Sequence, residues 1–287
     1  MNYLNFFRLR ETPFGITPDT DFFFGGASAR AGLNTLMVAI ASGEGFIKVT
    51  GEVGTGKTLL CRMLLAALDE RHWATAYIHN PELDPRSLML ALATELEISV
   101  DSQLDQHNLL RAINLALLDF ARAKRRVVLC LDEAQAMPTE TLESLRLLTN
   151  LETEKRKLLQ VVLFGQPELE TKLDEHRIRQ LKQRITFQHQ LSGLSRDETV
   201  QYLSHRMRAA GHDDGAVFSA RASALIHAAS RGTPRLVNIL SHKALMLAYG
   251  RGSQLVRWLD AREAAADTPS AFMLGPRWLW LGALQRG

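Results

Sequence analysis

Residues 51–58 read GEVGTGKT, which is the pattern G-x-x-x-x-G-K-[ST] of a phosphate-binding loop. Glycine permits the backbone angles that bring successive N–H groups onto the α- and β-phosphates of a nucleotide. The lysine of such a loop reaches the β- and γ-phosphate oxygens, and the Ser/Thr hydroxyl holds Mg²⁺. The stretch therefore predicts a site for ATP and Mg²⁺ formed by Gly51, Glu52, Val53, Gly54, Thr55, Gly56, Lys57 and Thr58.

The segments around this loop have the order that the chemistry requires. GFIKVTG before it is a short β-rich run, and LLCRMLLAALDE after it has apolar residues at helical spacing. A second run, VVLCLDEAQ at 127–135, is apolar until it reaches two carboxylates, as expected for a central parallel strand buried on both faces. We expect Asp132 to hold the Mg²⁺ shell and Glu133 to orient the attacking water. Two solvated acids in a turn are the alternative.

The composition is that of an ordinary globular chain. The 287 residues are 46% hydrophobic and 23% charged, enough for one large α/β domain and a smaller one. A net charge of +3 with a pI of about 9.0 permits a nucleic-acid surface without requiring one. Cys61 and Cys130 fall in a predicted helix and a predicted strand, so we expect core thiols rather than a disulfide or metal site. The N-terminal segment lacks a signal-peptide pattern, which favours a cytoplasmic location.

Strand candidates alternate with amphipathic helical segments along the first two thirds of the chain, which predicts an α/β fold with a five-stranded parallel sheet flanked by helices. After residue 192 the pattern is helical only, which predicts a small all-helical lid domain. The expected strands lie at 45–51, 74–80, 126–134, 158–165 and 185–191. The expected domains are a nucleotide-binding domain with an N-terminal linker at 1–192, the lid at 193–257 and a C-terminal tail at 258–287.

The tail ends in an apolar stretch, PSAFMLGPRWLWLGALQRG. A membrane-spanning helix needs about 20 mostly apolar residues, and Pro276 and Arg277 interrupt this run. Docking onto the body of the protein or onto a partner is the favoured interpretation. Peripheral contact with a membrane, with Trp278 and Trp280 at the level of the lipid headgroups, is the alternative.

The phosphate loop, the Asp-Glu strand, the five alternating strands and the helical lid together resemble an AAA+ ATPase rather than a Ras-like or RecA-like one. More narrowly, the opening YLNFFRLRETPFGITPDTDFFF and the segments LFGQPEL, LKQRI and GTPRLVN resemble the family of general secretion pathway protein A. The resemblance covers the chain to about residue 256. It favours the ATPases of mannose-sensitive haemagglutinin (MSHA) pilus biogenesis, because the longer secretion members continue into a membrane segment and a periplasmic peptidoglycan-binding part.

The resemblance implies roles that spacing alone does not assign. Gln166 matches sensor 1, which touches the γ-phosphate or the lytic water, although a plain turn residue is the alternative. Arg235 matches sensor 2, which reaches from the lid to the nucleotide; an arginine in the first helical turn is otherwise poorly placed at the positive helix end. Arg184 matches the arginine finger that completes a neighbouring subunit's site, with Arg179 or a solvated helix-end charge as alternatives.

The resemblance also implies that Pro13, Phe14 and Ile16 line the adenine, with a hydrophobic staple as the alternative. It implies an ATP hydrolase that forms a ring or other homo-oligomer. Together with pilus or secretion assembly proteins, it would act at the cytoplasmic face of the inner membrane through its conformational cycle.

Two alternatives to this function stay open. A DNA-binding transposition helper ATPase resembles the same core, and arginines in HRMRAAGH and SRGTPR could neutralise phosphates, although no dedicated DNA-binding helix pair stands out. A scaffold that binds ATP without hydrolysing it is the other alternative, and the intact Glu133 counts against it.

Overall fold

The computed structural model describes residues 3–79, 81–101, 103–149, 152–153 and 156–272. The chain forms two compact units. We call them the sheet unit, which comprises the described residues of 29–53 and 57–191, and the helical unit, which comprises residues 3–28, 54–56 and 192–272.

A parallel sheet forms the centre of the sheet unit. The strands in chain order are β1 (Phe46–Gly51), β2 (Trp73–Ile78), β3 (Arg126–Leu131), β4 (Glu152–Thr153), β5 (Arg156–Lys157), β6 (Leu159–Gly165) and β7 (Ile185–Leu191). Strands β4 and β5 form a separate antiparallel pair. The other five strands have the order β2-β3-β6-β1-β7, and every pairing between them is parallel. The predicted five-stranded parallel sheet is confirmed.

Helices of both units account for most of the remaining chain. In chain order they are α1 (Tyr3–Phe6), α2 (Ala27–Ser42), α3 (Lys57–Ala67), α4 (Pro85–Glu95), α5 (Gln106–Arg122), α6 (Thr139–Thr149), α7 (Glu168–Leu173), α8 (Arg179–Lys182), α9 (Arg196–Ala209), α10 (Ala220–Ser230), α11 (Pro234–Gly250) and α12 (Trp258–Ala266). Helices α3–α8 belong to the sheet unit, and α1 and α9–α12 belong to the helical unit.

The sheet is covered by helices on both faces, and strand β3 shows why its sequence is apolar throughout. Its residues Val127 and Leu129 belong to a core that includes the buried leucines of α4, α5 and α6. The alternate residues Val128 and Cys130 belong to a second core, which α2 and α3 close from the other side. Because successive side chains of a strand point to opposite faces, a strand between two helical layers has no solvent face. Cys61 and Cys130 are free, buried thiols within the second core.

The helical unit has its own apolar core, to which the N-terminal segment contributes. Phe7, Phe14 and Phe22 are buried there together with side chains of α9, α10, α11 and α12. This grouping differs from the expected domains, which placed the N-terminal segment with the sheet and α12 in the tail. The physical reason is burial: an apolar segment with three buried phenylalanines groups with the core that removes those rings from water.

The tail is described only as far as Phe272. The backbone N–H of Phe272 donates to Ala229 O at 2.8 Å, and the guanidinium carbon of Arg231 lies 3.5 Å from the centroid of its ring. The predicted docking or membrane contact through Trp278 and Trp280 lies outside the described residues. Within them, no helix combines the length and the apolar character needed to cross a membrane.

Candidate active site

The phosphate loop connects the end of β1 with the start of α3. Gly54 and Gly56 have φ angles of +81° and +102°, which residues other than glycine rarely adopt. A Cβ atom at Gly54 would lie 2.6 Å from Arg235 Cβ, so glycine is also required by space. The sequence pattern and the backbone therefore agree on why these two positions are glycine.

Lys57 and Thr58 open helix α3, directly after the loop. Lys57 is buried, and its Nζ donates to Gly51 O at 2.7 Å and to Glu52 O at 3.1 Å. Burial lowers the pKa of Lys57, and the negative charges of Glu133 and Asp132 partly offset that effect. A buried ammonium beside carbonyl oxygens and carboxylates has the chemistry needed to bind phosphate oxygens.

Asp132 follows β3 and is fully buried. Thr58 Oγ1 donates to Asp132 Oδ2 at 2.6 Å, so the two predicted metal ligands lie side by side. A hydroxyl and a single carboxylate fit Mg²⁺, which takes hard oxygen ligands and is usually completed by waters and substrate phosphates rather than by a protein cage. The described residues contain no cluster of three or more His, Cys, Asp or Glu side chains that could hold a metal ion.

Tyr77 and His79 also approach Asp132, and neither contact was predicted from the sequence. Tyr77 Oη donates to Asp132 Oδ2 at 3.3 Å, and His79 Nδ1 lies 3.5 Å from the same oxygen. Burial and the Asp132 charge raise the pKa of Tyr77, so it stays a proton donor. The sheet topology explains these contacts. Strand β2 is paired in parallel with β3, and the carboxyl ends of parallel strands meet at the same end of a sheet.

Glu133, Gln135 and Gln166 form a hydrogen-bonded group at the same edge of the sheet. Glu133 Oε2 accepts from Gln135 Nε2 at 2.5 Å and from Gln166 Nε2 at 3.0 Å. Burial tends to raise the pKa of Glu133, but the hydrogen bonds from Gln166 and Gln135 and the charges of Lys57 and His79 outweigh it and lower that pKa. The carboxylate is therefore ionised, as a group that accepts a proton from water must be. Gln135 had not been assigned a function from the sequence.

Arg184 lies at the amino ends of the strands, opposite the end of the sheet at which Asp132 and Glu133 lie. It comes directly before β7, which is parallel to β1, whereas the phosphate loop follows the carboxyl end of β1. A strand of seven residues, at about 3.3 Å per residue, is about 20 Å long, and this is the distance between the two ends of the sheet. The Arg184 guanidinium donates to Arg146 O at 3.5 Å, and Arg179 is exposed at the start of α8. Arg184 is thus not grouped with Lys57 and Glu133 within the sheet unit.

Arg235, Pro13, Phe14 and Ile16 belong to the helical unit. Arg235 lies in the first turn of α11, and its backbone N–H donates to Gly54 O at 3.1 Å, so this part of the helix contacts the phosphate loop. Phe14 is buried, with its ring 5.6 Å from that of Phe218 in an edge-to-face contact, whereas Ile16 is 58% exposed. Pro13 is buried, and its carbonyl accepts from Arg206. The adenine-lining role of these residues stays a prediction.

Comparisons with known proteins agree with this geometry. A family model described as an AAA domain matches residues 40–173, which include the phosphate loop, Asp132 and Glu133. General secretion pathway protein A of Aeromonas hydrophila is 40% identical over 265 residues, which are 92% of this chain and 48% of that protein. The chain therefore spans about half the length of this relative.

Solved structures share the fold at low sequence identity. Cdc6p from Pyrobaculum aerophilum has a TM-score of 0.69 and 18% identity over 92% of this chain and 74% of its own. The ORC2 protein of Aeropyrum pernix, in ADPNP and ADP complexes, has a TM-score of 0.65 and 17% identity over 91% of this chain and 74% of its own. RuvB, a Holliday junction branch migration motor of Thermotoga maritima, has a TM-score of 0.59 and 16% identity over 89% and 73%. At such identities the likeness speaks for the fold alone.

The AAA-domain match and the relation to general secretion pathway protein A agree with the phosphate loop at the carboxyl edge of the sheet. This chain has the AAA+ P-loop fold, with an AAA domain at residues 40–173.

Proposed function

We propose that this ATPase drives assembly of a pilus or secretion system from the cytoplasmic face of the inner membrane, and that the system is an MSHA-type pilus, with MshM as the functional counterpart. The observation that carries the proposal is the 40% identity with general secretion pathway protein A over 92% of the chain. That identity extends through the helical unit, well beyond the residues matched by the AAA-domain model. The opening segment supports the wider relation to general secretion pathway protein A, and the pilus assignment is the finer part of the proposal.

In the proposed hydrolysis, the residues of the sheet unit act on the triphosphate and on the water. The loop N–H groups and Lys57 bind the phosphate oxygens, Thr58 and Asp132 would hold Mg²⁺, and Glu133 orients the attacking water and takes up its proton. Bound Mg²⁺ would neutralise the charge on the β- and γ-phosphates. Gln166 Nε2 donates to Glu133 Oε2 at 3.0 Å, and this contact supports a sensor 1 role for Gln166.

The proposed switch couples nucleotide state to lid position and to a neighbouring subunit. Arg235 acts as sensor 2, supported by the contact of its backbone with Gly54. Arg184 acts as the arginine finger in a ring or other homo-oligomer, supported by its place at the edge of the sheet away from its own phosphate loop. Pro13, Phe14 and Ile16 would complete the site at the adenine.

A complementation experiment tests this function. In a strain lacking the gene, the wild-type gene should restore surface pili or secretion, and a Lys57→Ala gene expressed at the same level should not. Normal pilus assembly and normal secretion in the deletion strain would overturn the proposal.

The alternative of a DNA-binding transposition helper is decided by a second measurement. Binding of the purified protein to duplex DNA at near-physiological salt is compared with and without ATP, with Lys57→Ala alongside. Tight binding that requires both ATP and Lys57 would replace the pilus proposal by the helper. We expect no such binding, because the relative that is 40% identical over 92% of the chain is a general secretion pathway protein.

A further inference from the structure

We propose that Gln135 is a positioning residue for hydrolysis, which holds the Glu133 carboxylate and the Gln166 loop in one fixed arrangement. The inference rests on the proposed role of Glu133 and adds a residue that orients the Glu133 carboxylate for that role. It begins from the two hydrogen bonds of one side-chain amide. Gln135 Nε2 donates to Glu133 Oε2 at 2.5 Å, and Gln135 Oε1 accepts from the backbone N–H of Gln166 at 2.9 Å.

The chemistry of the partners fixes the orientation of this amide. A carboxylate can only accept, and a backbone N–H can only donate. The side chain between them must therefore be a donor at one end and an acceptor at the other. A glutamate at this position could accept from Gln166 but would place a second negative charge against Glu133, and an apolar residue could do neither.

Gln166 closes the group, because its own side chain donates to the same carboxylate oxygen that Gln135 contacts. Glu133, Gln135 and Gln166 thus form a ring of hydrogen bonds in which Gln135 contacts both other members. A shift of the Gln166 loop is therefore transmitted to the carboxylate that orients the water. The two predicted catalytic groups are joined through a residue to which no role had been given.

The backbone of Gln135 is held by the turn that contains it and by Lys172, and Gly165 leaves room for its side chain. Glu133 adopts a left-handed conformation with φ +52°, which turns the chain sharply after β3 into the short 3₁₀ turn Ala134–Ala136. Lys172 Nζ donates to Gln135 O at 2.8 Å, in the middle of this turn, and also to Met137 O, directly after it, so a side chain of α7 holds the turn. At Gly165 a Cβ atom would lie 2.7 Å from Leu169 Cδ2 and 3.2 Å from Gln135 Oε1. Glycine there leaves the space that the amide occupies.

The test replaces Gln135 by methionine, which keeps the length of the side chain and removes both hydrogen bonds. We expect kcat to fall roughly 10- to 100-fold, since a hydrogen bond to a charged group is lost, while the affinity for ATP changes less than about twofold. Gln135→Glu should lower kcat further. Steady-state hydrolysis gives kcat, and a fluorescent ATP analogue gives the dissociation constant.

Gln160→Met is the matched control. Gln160 is buried in β6, where its amide donates to Ile40 O at 3.2 Å and Glu44 O at 2.8 Å. Losing those bonds should lower the melting temperature but leave the kcat of the folded protein unchanged. If Gln135→Met and Gln160→Met behaved alike, Gln135 would be a structural residue and the proposal would be overturned.

The variant Glu133→Gln separates this inference from the function on which it rests. If Glu133→Gln hydrolysed ATP at the wild-type rate, the role of Glu133 would fail, and the inference with it. If Glu133→Gln were inactive while Gln135→Met kept its kcat, only the inference would fail. Where Gln135 acts through Glu133, adding Gln135→Met to Glu133→Gln should lower the single-turnover rate no further; a full additional loss would overturn the inference.

Discussion

Polar side chains that are half-buried in the sheet unit and buried in the helical unit form hydrogen-bonded clusters, and the two clusters use different kinds of partner. In the sheet unit, Glu133, Gln135 and Gln166 bond mainly with one another at the ends of strands. In the helical unit, Arg206 donates to the carbonyls of Pro13 and Gly15, at 2.5 Å and 3.3 Å. The first arrangement orients a charged side chain where a ligand can approach it. The second ties an irregular segment to a helix and has no reactive group at its centre.

The surroundings of Arg206 support that contrast. Its guanidinium carbon lies 4.3 Å from the centroid of the Phe22 ring, and Asn238 Nδ2 also donates to Gly15 O, at 2.9 Å. Tyr202 Oη donates to Asn238 Oδ1 at 2.9 Å. Each of these polar side chains thus contacts a backbone carbonyl, an aromatic ring or a side-chain amide. The comparison predicts that changes in the sheet cluster alter hydrolysis and that changes in the helical cluster alter stability.

The largest effect is expected from Arg184→Ala. If Arg184 completes the site of a neighbouring subunit, its loss should lower ATP hydrolysis by a factor of about 10³ to 10⁵. Mixing Arg184→Ala with Lys57→Ala subunits should restore part of the activity, because the second variant supplies an intact finger to the first variant's phosphate loop. Steady-state hydrolysis over a series of mixing ratios measures the recovery. Arg179→Ala is the matched control; a loss confined to that variant would move the finger to Arg179.

Glu133→Gln should come next, with hydrolysis reduced by a factor of about 10² to 10⁴ and ATP still bound. The amide keeps the shape of the side chain but cannot take up a proton from water. Hydrolysis and equilibrium binding of labelled ATP are measured on the same preparation, with Lys57→Ala as the variant expected to lose binding. Wild-type turnover in Glu133→Gln would remove Glu133 from the mechanism and erase the contrast between the two clusters.

The sequence predicts the strands well because their burial pattern is local. The apolar run from Val127 to Leu131 is long enough to indicate a central strand, and the glycines of the phosphate loop carry their own pattern. Gln135 and Tyr77 could not be assigned in this way. Their partners depend on which strands are neighbours and on the left-handed turn at Glu133, and neither is encoded in a spacing.

The N-terminal segment is a second example of a contact that the sequence pattern does not predict. Its motif suggested a lining for adenine, but the motif does not reveal that Phe14 packs against Phe218 more than two hundred positions later. Long-range pairing of this kind is decided by the complementarity of two distant surfaces. Alternation of apolar and polar residues carries no information about it.

Arg206→Met should break the helical cluster and lower stability. The substitution keeps apolar contact along the stem but leaves the buried Pro13 carbonyl unpaired, which should reduce the free energy of unfolding by about 2 to 3 kcal/mol. Denaturant unfolding measures the loss, and hydrolysis below the transition should stay near that of the wild type. Arg208→Met, on the exposed side of α9, is the control and should change stability by less than about 0.5 kcal/mol. Equal losses in the two variants would contradict the assignment.

The smallest effect is expected from Ser195→Ala, at the start of α9. Ser195 Oγ accepts from the backbone N–H of Glu198 at 3.2 Å, while Glu198 Oε2 accepts from the N–H of Ser195 at 2.9 Å. Removing the hydroxyl abolishes one half of this capping box and should lower the free energy of unfolding by about 1 kcal/mol. Glu198 Oε1 also accepts from the N–H of Ala27, at 2.7 Å, so most of the local structure should persist.

Ser204→Ala on the same helix provides the control, because the Ser204 hydroxyl bonds back to Val200 O within the helix and caps nothing. We expect no loss of stability there, and hydrolysis unchanged in both serine variants. A drop in kcat for Ser195→Ala without a drop in stability would mean that the start of α9 takes part in the catalytic cycle. The start of α9 would then control turnover together with Arg235 of the same unit, and the prediction that this capping box affects stability alone would be wrong.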